Sequence, residues 1–98
     1  VNTEELDYYL QLQAQINSLV AWRLEGSVGR AMMDAIQGGH CMLGFDSTRD
    51  FWGSYIPARD EVQAGTVGSY SYVVAQHGVD YAERLADVPE DSLLKVMG

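Results

Sequence analysis

Cysteine, lysine and proline are scarce in this chain, and each scarcity excludes something. One cysteine, Cys41, cannot make an intramolecular disulfide, so a reducing compartment is expected. No run approaches the ~18 consecutive apolar residues of a membrane span, and no basic stretch leads into an apolar one at the start. Membrane-spanning and secreted readings are therefore set aside, and the expected location is the cytoplasm (a host's, if the gene belongs to a phage). Bases are few, 6 against 14 acids, which leaves a net charge of -8 over 98 residues. A surface that follows phosphates needs a basic footprint, so direct nucleic-acid binding is not expected. No repeat, low-complexity run or linker interrupts the chain, and a single small helical domain over residues 1–98 is predicted. Lys95 is the lone lysine beside five arginines, and Val1 is what a literally translated GTG start codon would produce. Both point to a GC-rich bacterium or one of its phages.

Apolar residues make up 47% and charged residues 20%, the composition of ordinary globular material. The segment from Thr3 to Glu25 reads as one long amphipathic helix, with Asn2 as its cap and Glu5 completing a capping box. Leu6, Tyr9, Leu10, Leu12, Ile16, Leu19, Val20 and Leu24 share an apolar arc of roughly half the helix circumference. So broad an arc predicts packing on two sides, by the rest of the chain or by a second copy. Gln13 and Asn17 lie inside that arc and must find partners there. They either set the register of a helix pair or cap a neighbouring loop of the same chain. Trp22 falls on the opposite, polar side, to be covered by another part of the fold or by a partner.

Gly26 and Gly29 predict a kink or break near 26–29, after which Val28, Ala31, Met32, Ala35 and Ile36 mark a second helix to about Gln37, stopped by Gly38-Gly39. From His40 to Gly68 helical periodicity is lost. This irregular, aromatic middle has a candidate buried strand at Cys41–Phe45, a turn at Asp46–Arg49, and the cluster Phe51, Trp52 and Tyr55. Ser69 caps a third helix that ends at His77-Gly78, another begins near Val79, and Pro89 opens a last one from Glu90 to Met97. The predicted fold is mainly α, with two or three short C-terminal helices.

Chemistry is thinly represented. Cys41 beside His40, or near His77, is the one conceivable thiol–imidazole pair, but its apolar surroundings predict an inert thiol. His40, Cys41, Asp46 and Asp50 have no metal-ligand spacing, and Asp46–Asp50 lacks the alternating ligands of a calcium loop. The glycine pairs lack the order and the Lys-Ser/Thr of a phosphate cradle. No cofactor or metal is expected, and no enzymatic activity. Tyr72–Leu85 resembles the turn of a helix-turn-helix, yet its second helix would present Asp80, Glu83 and Asp87 with only Arg84 to offset them. It reads instead as a helical hairpin used for packing.

Trp, Tyr and Arg are the residue types enriched at interface hot spots. Trp22, Phe51, Trp52, Tyr55 and Arg59 are accordingly the candidate partner surface. Leu6, Tyr9, Gln13, Ile16, Asn17 and Val20 are the candidate self-association face, most simply in a symmetric homodimer. The expected function is a small acidic adaptor or inhibitor acting by protein–protein contact. Two alternatives stand beside it: an acidic nucleic-acid mimic that blocks a DNA- or RNA-binding enzyme, and a self-assembling structural protein.

Overall fold

The computed structural model describes residues 2–24 and 26–89 of the chain. The order of elements is α1 (Thr3–Asn17), a single 3-10 turn (Ala21–Arg23), α2 (Gly26–Gln37), β1 (Thr48–Arg49), β2 (Tyr55–Ile56), α3 (Tyr70–His77) and α4 (Val79–Ala86). The fold is mainly α, as the periodicity predicts. The helix expected from Glu90 to Met97 lies outside the described residues.

Helix α1 starts on its predicted capping box. The Asn2 side chain accepts from the Glu5 N–H at 2.8 Å, and the Glu5 carboxylate accepts from the Asn2 N–H. Its end corrects the expectation of a helix to Glu25. At Ser18 the backbone becomes extended, and the chain turns through Ala21–Arg23 back toward α2. The cause is Trp22. A continued helix would leave this indole in water; the turn buries it to 2% exposure, and its Nε1–H donates to the freed Ile16 carbonyl at 3.0 Å. Burying an aromatic side chain is worth about 2–3 kcal/mol, more than a few exposed helical residues lose. Leu19, Val20 and Leu24, placed on the apolar arc by helical spacing, are consequently exposed.

The predicted break at 26–29 is also displaced. Gly26 and Gly29 belong to the first turns of α2, and the interruption falls between Ser18 and Leu24. Gly26 lies against the Trp52 indole: a Cβ on it would overlap the ring, which would have to shift. Helix α2 then runs to its predicted stop at Gly38-Gly39.

Cys41–Gly44 is buried, as expected of a core segment, but it pairs with no strand among the described residues. The two short strands lie further on, joined antiparallel with Thr48 opposite Ile56 and Arg49 opposite Tyr55. A buried backbone without a ladder must satisfy its N–H and C=O groups some other way. Gln13 does this for Met42: its Oε1 accepts from the Met42 N–H at 2.9 Å, and its Nε2 donates to the Met42 carbonyl at 2.9 Å. The side-chain amide takes the place of a neighbouring strand's peptide unit. Leu43 donates its N–H to the Gly68 carbonyl and accepts at its own carbonyl from Arg59 Nε at 2.8 Å.

The network continues inward. Asn17 Oδ1 accepts from Gln13 Nε2 at 3.0 Å and from Arg59 Nη2 at 3.3 Å, while its Nδ2 donates to the carbonyls of Val88 and Pro89. This clasp ties α1 to the buried loop and to the chain just beyond α4. Around it pack Ile16, Trp22, Met32, Ile36, Met42, Val73 and Leu85, all buried. Ser69 caps α3 by accepting from the Tyr72 N–H at 3.1 Å. Gly78, at φ +93°, makes the reversal into α4 that a residue with a Cβ would resist. The α3–α4 hairpin packs as predicted, and Glu83 on its second helix accepts a hydrogen bond from Tyr70 Oη.

Candidate functional site

The most distinctive surface is the hairpin from Thr48 to Ile56. Ile56 is buried and anchors it, while Phe51, Trp52 and Tyr55 stand 56%, 59% and 52% exposed. Asp50 builds the turn. Its Oδ1 accepts from the N–H groups of Trp52 and Ser54, each at 2.9 Å, and its carbonyl accepts from the Gly53 N–H at 3.0 Å. Arg49 spans the loop, donating from Nη1 to the Gly53 carbonyl at 2.9 Å, with its guanidinium 5.9 Å from the centre of the Tyr55 ring. Such a loop holds its aromatics in place instead of letting them sweep through solvent.

Each ring has one side fixed and another free. Phe51 and Trp52 meet edge to face, centroids 5.5 Å apart at 88°, and the indole rests on Gly26. Tyr55 Oη donates to Glu61 Oε2 at 2.6 Å, and Glu61 Oε1 accepts from the Ala58 N–H at 2.9 Å. The Ala58 bond first, and the Tyr55 bond second, hold the Glu61 carboxyl below its ordinary range. Beside Phe51, an open cleft is lined by Arg23, Arg49 and Asp50. The Arg23 side chain is exposed and makes no hydrogen bond or ion pair among the described residues.

Two of the five residues expected on the partner surface do not belong to it. Trp22 is core, with its indole N–H already bonded. Arg59 is the internal brace of Leu43 and Asn17, with its guanidinium 4.2 Å from the centre of the Phe45 ring. Burial lowers its pKa from the ordinary value, opposed by nearby Asp60. Three of the six residues on the expected self-association face are likewise taken into the core. Gln13, Ile16 and Asn17 are covered by the chain's own loop, and Tyr9 is half-buried against His40 at a ring distance of 4.5 Å. Leu6 is half-buried, and Val20 alone of that group is well exposed, at 64%. Arg23 was not among the expected site residues and Gly26 was expected only to break a helix; both acquire their places only when the 3-10 turn and the hairpin meet. An Asp followed by a glycine three residues later, Asp50 and Gly53, was the local signal for the turn.

Cys41 is fully buried; its thiol donates to the Tyr9 carbonyl, and burial pushes its pKa up to about 12. A thiol so held is protonated at neutral pH and is no nucleophile. Neither His40 Nδ1 nor His77 Nε2 has a hydrogen-bond partner among the described residues, so neither nitrogen engages the thiol. No three His, Cys, Asp or Glu side chains gather as metal ligands among the described residues. None of the described helices is long and apolar enough to cross a membrane. The molecule is thus a small helical protein displaying a braced aromatic hairpin. No protein-family model matches the chain, and neither the curated proteins nor the solved structures provide a match to it.

Proposed function

We propose that the protein is a non-enzymatic binding module, a small acidic adaptor or inhibitor in the cytoplasm of a GC-rich bacterium, encoded by the cell or by a phage. Phe51, Trp52 and Tyr55 anchor it in an apolar pocket of a protein partner, and the bulk of the domain blocks access to whatever lies beside that pocket. One observation carries the reading: three neighbouring aromatics remain more than half exposed on a hairpin whose turn is cross-braced by Asp50 and Arg49. Aromatic anchors on a pre-ordered loop lose little conformational entropy on docking and retain most of the gain from burial. Arg23 and Arg49, at the edge of the patch, fit carboxylates rimming such a pocket, and the net charge of -8 acts mainly on the rate of approach.

The test is a tagged capture from host lysate at 0.1 M and 0.5 M salt, repeated with purified partner and a Trp52→Ala variant. Trp52→Ala should keep the helical circular dichroism of the parent and weaken the purified complex by about 30-fold or more, the size of a hot spot. Equal affinity of variant and parent would overturn the reading. A partner held only at 0.1 M salt and indifferent to Trp52 would instead favour acidic mimicry.

A further inference from the structure

Away from the hairpin, four aromatic rings form a column through the junction of three segments. Tyr9 on α1 stacks on His40, which follows α2, with centroids 4.5 Å apart and planes 4° from parallel. His40 meets His77 at the end of α3 at 4.6 Å, and His77 meets Tyr81 on α4 at 4.9 Å. Tyr81 Oη closes the column by donating to the His40 carbonyl at 2.6 Å. Within it, His40 Nδ1 and His77 Nε2 are shielded from water, and neither has a hydrogen-bond partner among the described residues.

An unpartnered nitrogen is tolerable in a neutral imidazole, where it can be the lone-pair site. On an imidazolium both nitrogens are donors, so the same position would hold a buried N–H with nothing to accept it. In this column the charge would also face a second imidazole ring. We infer that the Tyr9–His40–His77–Tyr81 column is an acid-opened latch, holding α1 and the end of α2 against the α3–α4 hairpin while His77 is neutral and releasing them when it is protonated.

The surroundings agree. On α4, Asp80 and Arg84, of opposite sign, share an open cleft with His77. Asp34 on α2 lines the cleft beside His40. Glu5 on α1 and the Cys41 thiol act on Tyr9 and Tyr81. Neither buried nitrogen, His40 Nδ1 nor His77 Nε2, bonds to a carboxylate among the described residues. His77 is lowered from its ordinary value by burial first, then by His40. A lowered native value means that the open form binds the extra proton. The latch is therefore fully closed above the ordinary histidine range near 6.5 and weakens as pH falls toward the native value, where the effect levels off. Opening would release the Tyr81–His40 bond and leave the Asn17 clasp, at the other end of α4, in place.

The experiment is a wild-type NMR titration from pH 7.5 to 5.0, following both imidazoles and the amide exchange of α2, α3 and α4. This range lies above the ordinary carboxylate values near 4, so Glu61 does not contribute. His77 should titrate below the ordinary histidine value. Protection of the α3 and α4 amides, corrected for intrinsic exchange rates, should fall as pH drops below 6.5 by up to about tenfold per pH unit, the limit set by uptake of one proton, and level off at the native value. Protection at Ala31–Ala35 should hold. His77→Phe, which keeps a ring in the column, should flatten that slope. Titration of His77 at its ordinary value with constant protection would overturn the inference. So would equal loss across α2, or a His77→Phe variant that retains the slope. Should His77→Phe not fold, the wild-type titration and exchange decide alone.

Discussion

The clasp beneath α1 and the hairpin at 50–55 invert the usual placement of side chains. In the clasp, the amides of Gln13 and Asn17 and the guanidinium of Arg59 lie within the fold. On the hairpin, Phe51, Trp52 and Tyr55 face water. What separates the two regions is how the backbone is satisfied. The loop at 41–44 crosses the core with no strand alongside it among the described residues, so side chains supply most of its partners, and polar residues are drawn inward to do so. The hairpin satisfies its own turn through half-buried Asp50 and through Arg49, so its aromatic side chains are not needed to supply backbone partners. A polar group inside thus answers a structural need, and an apolar group outside, held still, is what remains for a partner.

The largest effect is expected at Gln13. Gln13→Leu keeps the volume but strands the Met42 N–H and C=O in the core and removes a partner of Asn17. Urea unfolding should show a loss of about 3–5 kcal/mol, or no folded protein at all. A loss below about 1 kcal/mol would mean that the amide is replaceable and that the two regions do not differ as argued. Asp50→Ala is the matching change in the hairpin. It removes two exposed hydrogen bonds, so global stability should drop by only about 1 kcal/mol. Amide exchange at Trp52 and Ser54 should nevertheless accelerate sharply, and partner affinity should fall with all three aromatics intact.

Glu61→Gln sharpens the contrast with the smallest effect. The Glu61 carboxyl is held below its ordinary value in the folded state, so its contribution is present above the unfolded carboxylate range and is lost as pH falls through the lower native value. The parent and the variant should therefore differ in melting temperature at pH 6 and converge as the pH is lowered through that window. A gap that widens toward acid would reverse the sign assigned to this carboxylate.

Much of the local punctuation was legible because it is chemistry between residues a few positions apart. The Asn2–Glu5 capping box, the Ser69 cap, the stop at Gly38-Gly39 and the reversal at Gly78 are all where their residue types indicate. The end of α1 was not legible. Leu19, Val20 and Leu24 keep helical spacing past Asn17, and nothing local announces that burying Trp22 outweighs continuing the helix. Gly26 suggested a break, whereas in the fold it lies inside α2 against an indole 26 positions further along the chain. Of the candidate site, Phe51, Trp52 and Tyr55 kept their exposure, whereas Trp22 and Arg59 proved to be scaffold. Composition favours both kinds of residue at an interface and cannot tell which ones the fold consumes.

By itself the sequence determined the mainly helical class, most of the caps and turns, and the aromatic centre, because each depends on intrinsic propensity or on spacing along one segment. Tertiary structure decided where α1 stops, which polar side chains go inside, and which aromatics stay in water. Those outcomes depend on distant groups competing for the same buried space and the same backbone donors and acceptors, as Met42 and Gln13 do across 29 positions.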